Sequence, residues 1–421
     1  MDNNFKNKTN IIVFILAVLI ISIANTFSPK TQTVSKTENR NLAAKSPLTI
    51  ESLYSGEYIR NYESYFSDHF IMRDFLVVTS KKITSLNGIT RDQEVALVDF
   101  DGQNVGGGGD SDSDETTTEN NTQPSTKGNL LILDDTVMEL YKFNEASSKS
   151  YADMLNTASD KMGSDVKVYS LIAPIQIEFL TEKKYKDLSD SQIDGLNFIK
   201  NNLTEKVTAV DAYTPLKEHI NEYVYFRTDH HWTGLGAYYG YTGFAKAAGL
   251  TPLPLDNFKS GEAPGYLGYL STVNPSEKIN SNPDNVIYYN PPVKSEMQVY
   301  FYDTDTGEKK SYAGAVINKT YIDTDQKYGI FLGGDFPLGI IKTDAPTNKK
   351  IMVIKDSYAN AFIPFLLPHY SEIYVVDPRH YKENILTLVK ENNIHEVLFL
   401  NYILTTTFES YIDNVLSLME N

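Results

Sequence analysis

The chain has 421 residues, a formal net charge of −16 and no cysteine, and 41% of its residues are hydrophobic. This hydrophobic content is enough for a sizeable core and excludes a chain that is disordered throughout. The absence of cysteine excludes disulfides, thiolate chemistry and cysteine-based zinc sites. The acidic balance, with no basic stretch, argues against nucleic acid as a partner.

The first 27 residues are predicted to direct export. Lys6 and Lys8 precede an apolar run from Ile11 to Ile23, which is shorter than the roughly 17–25 residues of a membrane-spanning helix and fits a signal peptide. Extending the run through Phe27 gives a marginal span, so a signal peptide (residues 1–27) and an uncleaved membrane anchor both stay open. The polar residues that follow, 28–47, are predicted to form a tether, and one domain is expected over the remainder, 48–421.

The first part of this domain contains an unusual insertion. Helices are predicted between Ile50 and Ser85, and residues 95–100 predict a short strand. Residues 104–128 hold four consecutive glycines and many acidic and small polar residues, which predicts disorder. Strand-like segments flank this stretch on both sides, and closing a long loop costs little free energy. We therefore interpret it as an expanded loop within a hairpin.

Beyond residue 130 the predicted elements alternate. Apolar strands are predicted at 130–133, 167–174 and 206–213, with helices at 135–162 and 191–203. The same alternation resumes from residue 349 to the end. Helices that alternate with continuously apolar strands predict a parallel sheet covered on both faces.

A different pattern separates these two parts. Between about residues 252 and 345 the chain is rich in Tyr, Asn, Pro and Gly, and segments such as 297–303 alternate in polarity. This pattern predicts an antiparallel β-rich insertion.

The segment RTDHHWTGLGAYYGY (227–241) contains two adjacent histidines, an aspartate and the only tryptophan. Thr233 is a suitable N-cap for a helix that runs to about Ala248, so the four residues before it are expected to be extended. In an extended segment Asp229 and His231 face the same side, whereas His230 points away. A carboxylate beside an imidazole orients it as a general base requires.

Two alternatives accompany this interpretation of the histidines. Histidines that pack or cap are commoner than catalytic ones. A metal site is disfavoured, because adjacent histidines diverge and no His-x-x-x-His spacing is present. We therefore expect neither a metal nor another cofactor.

The segment KKIMVIKDSYANAFIPFLLP (349–368) predicts a strand that ends at Ile354 and a helix that begins just after Ser357. Catalytic groups of α/β sheets collect at the carboxyl ends of strands, and the N–H groups of the following helical turn can donate to an oxyanion. The simpler alternative is that Asp356 or Ser357 caps the helix. No Gly-x-Ser-x-Gly motif is present.

Further candidates for the oxyanion hole or substrate binding lie in the same part of the chain. Gly333 and Gly334 permit a close backbone approach, Arg379 follows the next strand, and the amide of Asn401 ends the last one. A plain turn, a solvated arginine and a strand end are their structural alternatives. Trp232 is expected either to pack beside the histidine or to stack on a sugar ring.

Together these segments resemble the DHHW family of Gram-positive bacteria, which is related to the SGNH-hydrolase-like proteins that O-acetylate alginate and other exopolysaccharides. The resemblance follows the order of the chain: TENRNLA (37–43), YFSDHFIMRD (65–74), YVYFRTDHHWT (223–233), YGIFLGGDFP (328–337) and residues 354–381.

The resemblance implies an SGNH-hydrolase-like, flavodoxin-like fold and a triad of Asp229, His231 and Ser357, in an order permuted relative to ordinary SGNH hydrolases. The Asp-x-His-Trp of the alginate proteins matches Asp229, His231 and Trp232, which leaves His230 at the variable position. It also implies a polysaccharide substrate and an extracytoplasmic location, secreted or membrane-anchored. A membrane-bound O-acyltransferase is implied as the partner that supplies the acetyl group.

The sequence therefore predicts a serine-dependent O-acetyltransferase that acts on a cell-surface or secreted polysaccharide. An acetylesterase has the same triad and uses water as the acceptor. A non-catalytic glycan-binding or scaffold subunit of a polysaccharide export and acetylation complex is the alternative from another class.

Overall fold

The computed structural model describes residues 130–273 and 277–420 without interruption, together with residues 57–73, residues 96–98 and separate positions between residues 25 and 53. The predicted signal peptide or anchor, apart from Asn25, lies outside the described residues, as does the predicted loop 104–128. In the described part of the chain, no helix is long and apolar enough to cross a membrane.

The chain divides into two units, residues 1–93 and 94–421. In the first unit, β1 (Val34–Ser35) pairs antiparallel with β2 (Arg40–Asn41), and helix α1 spans Glu57–Asp68. Helix α1 falls within the stretch for which helices were predicted. The helix predicted after it lies outside the described residues.

The second unit is a mixed α/β structure. Its strands are β3 (Ala96–Val98), β4 (Leu130–Leu133), β5 (Thr136–Glu139), β6 (Lys167–Ala173), β7 (Val207–Val210), β8 (Lys259–Tyr266), β9 (Asp284–Asn290), β10 (Ser295–Tyr302), β11 (Lys309–Gly314), β12 (Leu338–Thr343), β13 (Lys350–Lys355), β14 (Glu372–Val376) and β15 (Glu396–Tyr402). Its α-helices are α2 (Glu145–Met162), α3 (Lys183–Lys186), α4 (Gln192–Asn201), α5 (Tyr213–Glu218), α6 (Gly234–Ala247), α7 (Tyr269–Val273), α8 (Glu277–Asn280), α9 (Ala359–Leu366), α10 (Ile385–Glu391) and α11 (Glu409–Ser417).

A large central sheet organises this unit, with the strand order β11-β10-β12-β14-β13-β15-β6-β7. The five strands from β14 to β7 run parallel, whereas β12, β10 and β11 join antiparallel at one edge. The prediction of a parallel sheet is therefore correct for these five strands, and the three edge strands confirm the prediction of an antiparallel β-rich insertion. The three antiparallel strands come from the β-rich stretch 252–345, where no crossover helix of the kind that parallel strands need separates them.

The parallel strands follow a recognisable order. Across the sheet these strands lie in the order β14-β13-β15-β6-β7. If β13 is numbered 1, and β14, β15, β6 and β7 are numbered 2 to 5, this order is 2-1-3-4-5, which is the order of flavodoxin-like sheets. The order reverses between β13 and β15, and ligands of open α/β sheets bind at the carboxyl ends of the strands at such a point. Every residue of β15 is buried, which shows that both faces of the sheet are covered.

A small three-stranded sheet precedes the central sheet along the chain. β3 pairs antiparallel with β4, as the flanks of the predicted loop indicated, and β4 pairs with β5. The helix predicted from residue 135 is wrong at its start, because the chain turns at Asp134 (φ 59°) and Thr136–Glu139 forms β5. Helix α2 begins only after Asn144, whose side chain accepts a hydrogen bond from the N–H of Ser147.

Candidate active site

The DHHW segment forms a tight turn between two paired positions. Tyr225 and Trp232 form an antiparallel bridge, and the N–H of Phe226 donates to the carbonyl of His231 at 3.3 Å. Within the turn, Asp229 Oδ1 accepts a hydrogen bond from the N–H of His231 at 3.0 Å, which is the geometry of an Asx-turn. The predicted extended conformation is therefore wrong, although Asp229 and His231 do face each other.

The carboxylate of Asp229 is held by four donors. Its Oδ1 also lies 2.5 Å from His231 Nδ1, and its Oδ2 accepts hydrogen bonds from the Tyr266 hydroxyl at 2.7 Å and from the Tyr269 N–H at 3.0 Å. Burial alone raises the pKa of Asp229, but the imidazoles of His231 and His230 outweigh burial and hold that pKa well below its usual range. An ionised carboxylate only accepts hydrogen bonds, so His231 Nδ1 carries a proton and Nε2 is left as the acceptor.

Ser357 completes this hydrogen-bonded series. Its Oγ lies 2.8 Å from His231 Nε2, in the turn between β13 and α9, at the point where the strand order reverses. The ring of Tyr328 stacks on the His231 imidazole with centroids 3.8 Å apart, and its hydroxyl donates to the Ser357 carbonyl at 3.1 Å. The structure thus brings Asp229, His231 and Ser357 together in the arrangement that activates a serine hydroxyl.

Neither Asp356 nor Ser357 is the N-cap of α9, which is Tyr358 and has no side-chain cap; Asp356 instead holds the turn before the helix. Asp356 Oδ1 accepts a hydrogen bond from the N–H of Tyr358 at 2.9 Å. Its other oxygen accepts hydrogen bonds from the Tyr402 N–H at 2.9 Å and the Thr405 hydroxyl at 2.7 Å. Burial raises the pKa of Asp356, and these bonds oppose the rise. Because Asp356 ties the turn to the end of β15, the Ser357 hydroxyl remains available to His231.

Trp232 is fully buried and packs within the protein. Its Nε1–H donates to the Tyr358 carbonyl at 2.9 Å, and its indole stacks on Phe362 with centroids 6.3 Å apart. Of the two predicted roles, the packing role is therefore the one that the structure shows. Thr233 caps α6 as predicted, since its hydroxyl accepts a hydrogen bond from the N–H of Gly236 at 3.2 Å.

His230 lies beside His231 and Asp229, which differs from the position predicted for it. Its ring centroid is 3.9 Å from that of His231, and its Nδ1 is 3.7 Å from Asp229 Oδ1. The prediction that His230 points away is wrong, because the segment turns. Asp229, His230 and His231 offer ligand atoms within 4.8 Å of one another, but both nitrogens of His231 already face Asp229 and Ser357. A metal ion bound by all three residues would have to displace those contacts.

Gly333 and Gly334 form a closed turn. Their φ angles are 83° and 103°, a conformation that favours glycine. Their N–H groups donate to the carbonyls of Gly329 at 3.0 Å and Phe331 at 3.3 Å. Both N–H groups are therefore used within the turn, which is the plain-turn alternative that the sequence offered.

Arg379 and Asn401 also face the protein rather than a ligand. Arg379 donates to Asp335 at 2.8 Å and to Asp377 at 2.6 Å. The amide nitrogen of Asn401 lies 3.3 Å from Asp356 Oδ2. In the structure Arg379 belongs to a buried ion cluster and Asn401 helps to hold Asp356, so both side chains already have partners within the protein.

The buried ion cluster, which consists of Lys355, Arg379, Asp335 and Asp377, adjoins the Ser357 turn. Lys355, fully buried at the end of β13, pairs with Asp335 and lies 3.5 Å from Asp377. Asp335 also accepts a hydrogen bond from the Asn360 amide at 2.9 Å, which links the cluster to α9. Burial opposes the ionised form of Asp335, but Lys355 and Arg379 outweigh burial and hold its pKa well below its usual range.

Two tyrosines that contact the site were not predicted from the sequence. Tyr266 binds Asp229, and Tyr328 stacks on His231. Both belong to the β-rich stretch, where tyrosine is too frequent for any one to stand out. Tyr328 opens the segment YGIFLGGDFP of the family resemblance, which was the one available signal.

Comparison with known proteins identifies the family. A family model described as DHHW protein matches residues 92–376. The chain belongs to the DHHW family. Among solved structures, a DHHW family protein from Eubacterium siraeum is 29% identical to this DHHW protein, with a TM-score of 0.59 over 68% of this chain and 93% of that one. This confirms the resemblance predicted from the sequence.

Two further solved structures are similar to this DHHW protein at lower identity. Bacillus cereus PatB1 with a sulfonyl adduct is 19% identical, with a TM-score of 0.56 over 67% of this chain and 97% of that one. The O-acetyltransferase domain of Pseudomonas putida AlgJ is 16% identical, with a TM-score of 0.38 over 68% and 95% of the two chains. No curated protein matches the sequence of this DHHW protein.

Proposed function

We propose that this DHHW protein is a serine-dependent O-acetyltransferase that acts on a cell-surface or secreted polysaccharide, with Asp229, His231 and Ser357 as its catalytic triad. The observation that supports the proposal is a series of two hydrogen bonds through the His231 imidazole. Its Nδ1 lies 2.5 Å from Oδ1 of the buried Asp229, and its Nε2 lies 2.8 Å from Ser357 Oγ. A carboxylate behind an imidazole that contacts a serine hydroxyl is the arrangement of acyl-transfer enzymes on several unrelated folds.

The reaction follows from this geometry in two steps. His231 Nε2 removes the proton from Ser357 as the hydroxyl oxygen bonds to the acyl carbon of the donor, and the donor's leaving group departs with that proton. An acceptor hydroxyl then attacks the acetyl-serine, His231 takes its proton, and Ser357 Oγ leaves and is reprotonated. Asp229 stabilises the imidazolium that forms in each step.

The oxyanion of both tetrahedral intermediates needs a donor. The backbone N–H of Ser357 makes no hydrogen bond with any other described residue. The N–H of Tyr358, in contrast, is bonded to Asp356. We assign the Ser357 N–H as one oxyanion donor, because an amide at a nucleophilic serine lies next to the oxygen on which charge develops.

The finer fold assignment belongs to the same proposal. The flavodoxin-like order of the parallel strands, counted from the strand before Ser357, supports an SGNH-hydrolase-like fold in which the order of the triad is permuted. The fold shared with Bacillus cereus PatB1, one structure of which holds a sulfonyl adduct, supports testing Ser357 with sulfonyl reagents.

The location and partners follow from the sequence. The apolar run from Ile11 to Ile23 supports export of a bacterial protein, either secreted or anchored in the membrane by that segment. A protein on the extracytoplasmic side needs an acetyl group delivered across the membrane, and we propose a membrane-bound O-acyltransferase as the partner that delivers it.

Transfer and hydrolysis can be separated by experiment. The purified protein is incubated with p-nitrophenyl acetate and an oligosaccharide, and the products are identified by mass. Acetylated oligosaccharide that is lost with Ser357→Ala supports the transferase. Release of acetate alone would favour an acetylesterase. Full polysaccharide acetylation in cells that carry Ser357→Ala would favour the scaffold role and overturn the proposal.

A further inference from the structure

A second group of buried polar side chains adjoins the triad. Glu139 and Tyr402 are 7% and 3% exposed, and the side chain of His230 is 6% exposed. Glu139 Oε2, both ring nitrogens of His230 and the Tyr402 hydroxyl are buried and make no hydrogen bond within the described part of the chain. Buried polar atoms are nearly always paired in native proteins, and unpaired ones destabilise the fold. These four atoms therefore retain hydrogen-bonding capacity that a ligand can use.

The placement of this group points to the reaction centre. The ring of His230 lies 3.9 Å from that of His231 and 6.0 Å from that of Tyr402. Tyr402 in turn stacks at 4.9 Å on Tyr358, the residue after Ser357. Strand β5, which ends at Glu139, lies beside the start of the DHHW segment, because the Val137 N–H donates to the Arg227 carbonyl at 2.8 Å. The charge of Glu139 also acts on both His230 and Tyr402. The ring of His231 therefore lies between His230 and Ser357, and Tyr402 packs on the residue that follows Ser357.

The chemistry of the three side chains matches a hydroxyl group. A neutral imidazole and a phenol each donate and accept hydrogen bonds. Burial raises the pKa of Glu139 to about 7, so near neutral pH its carboxyl also exists as a form that both donates and accepts. A metal cation requires acceptors alone, and a phosphate requires donors, whereas a sugar hydroxyl does both. The set is therefore suited to the hydroxyl groups of a sugar.

We propose that Glu139, His230 and Tyr402 bind hydroxyl groups of the acyl acceptor and hold it for attack on the acetylated Ser357, a role that rests on the acyl transfer proposed above. Tyr269 marks the side from which the acceptor enters. The Tyr269 ring packs edge-on against the His230 ring, with centroids 6.2 Å apart, and Tyr269 is 36% exposed.

The two half-reactions separate this role from a structural one. Acylation is measured as the burst of p-nitrophenol from p-nitrophenyl acetate. Deacylation is measured as transfer to ethylene glycol and to cellotetraose at increasing concentrations. In Glu139→Gln and Tyr402→Phe the burst rate should stay within twofold of wild type, whereas acceptor-dependent transfer should fall at least tenfold, with a raised KM for the acceptor.

Glu396→Gln is the matched control. Glu396 is also 7% exposed and accepts a hydrogen bond from the Tyr370 hydroxyl at 2.6 Å, but it lies at the start of β15, at the other end of the sheet. Its substitution should leave the KM for the acceptor unchanged.

Two results for the variants would overturn the acceptor site. Equal losses in acylation and transfer would mean that the residues only position the triad or stabilise the oxyanion, and unchanged transfer would mean that they do not bind the acceptor. A different result, the absence of a Ser357-dependent burst in the wild-type protein, would overturn the proposed acyl transfer and this site with it.

Discussion

Gly268→Ala tests how closely the position of Asp229 controls the site. A Cβ added at Gly268 would lie 2.3 Å from Asp229 Cβ and 2.5 Å from Asp229 Oδ2. Non-bonded carbon atoms prefer about 3.5–4.0 Å, so the carboxylate must move by about 1 Å. Because its Oδ1 orients His231, the imidazole moves with it, and a displacement of about 1 Å at a reacting group costs on the order of 100-fold in rate.

The assay is the rate at which phenylmethanesulfonyl fluoride or p-nitrophenyl acetate modifies Ser357. Gly265→Ala serves as the control, because an added Cβ there meets no atom within 4 Å while its φ of 79° imposes backbone strain. Gly265→Ala should lose stability by about 1–2 kcal/mol and keep its rate. If folded Gly268→Ala reacts within threefold of the wild-type rate, the account of Asp229 as the residue that orients His231 is refuted.

Three further predictions address the surroundings of the site. Tyr266→Phe removes one donor to Asp229, and since a hydrogen bond to a charged group is worth about 1.5–3 kcal/mol, acylation should slow roughly tenfold; an unchanged burst rate would contradict this. Lys355→Met leaves the carboxylates of the ion cluster with Arg379 alone, so urea denaturation should show a loss of about 3–5 kcal/mol, and a loss below about 1 kcal/mol would mean that the cluster contributes little. Burial raises the pKa of Glu139 to about 7, so the folded chain holds this proton more tightly than the unfolded chain and stability falls as the pH rises from about 4.5 to about 7. Relative to Glu139→Gln, the wild-type protein should lose about 2–3 kcal/mol between pH 5 and pH 8, and a constant difference would contradict the assignment.

The sequence was most informative where the relevant contacts are local. Asp229 and His231 are two residues apart, and almost any turn or strand lets a carboxylate reach an imidazole over that distance. The pairing was therefore predicted correctly although the backbone was predicted as extended. His230 was misplaced for the same reason, because its direction depends on the Asx-turn, which forms only once the Asp229 side chain accepts the N–H of His231.

Distant partners were beyond any local rule. Ser357 lies 126 residues from His231, and its local pattern is that of a helix cap, so only the order of the motifs in the family connected the two. Arg379 follows β14 and Asn401 lies near the end of β15, where ligand-binding residues collect, but their partners are Asp335, Asp377 and Asp356. Only the folded chain shows that these charges and amides are already paired.

Glu139 shows how a short strand escapes prediction. Met138 and Tyr141 are three residues apart, a spacing that fits a helix, and the helix predicted from residue 135 placed Glu139 on an ordinary helical turn. The hairpin of β4 and β5 places it in a buried position instead. Whether such a segment becomes strand or helix depends on the strand available to pair with it, which the local sequence does not specify.

The most direct test of the central claim is peptide mass spectrometry after reaction with a sulfonyl fluoride, and separately after acid quenching during turnover of p-nitrophenyl acetate. The account predicts a single adduct on Ser357, none in Ser357→Ala, and formation slowed by about 10³-fold or more in His231→Ala, because the serine loses its base. An adduct on another residue, or equal labelling of wild type and Ser357→Ala, would contradict it.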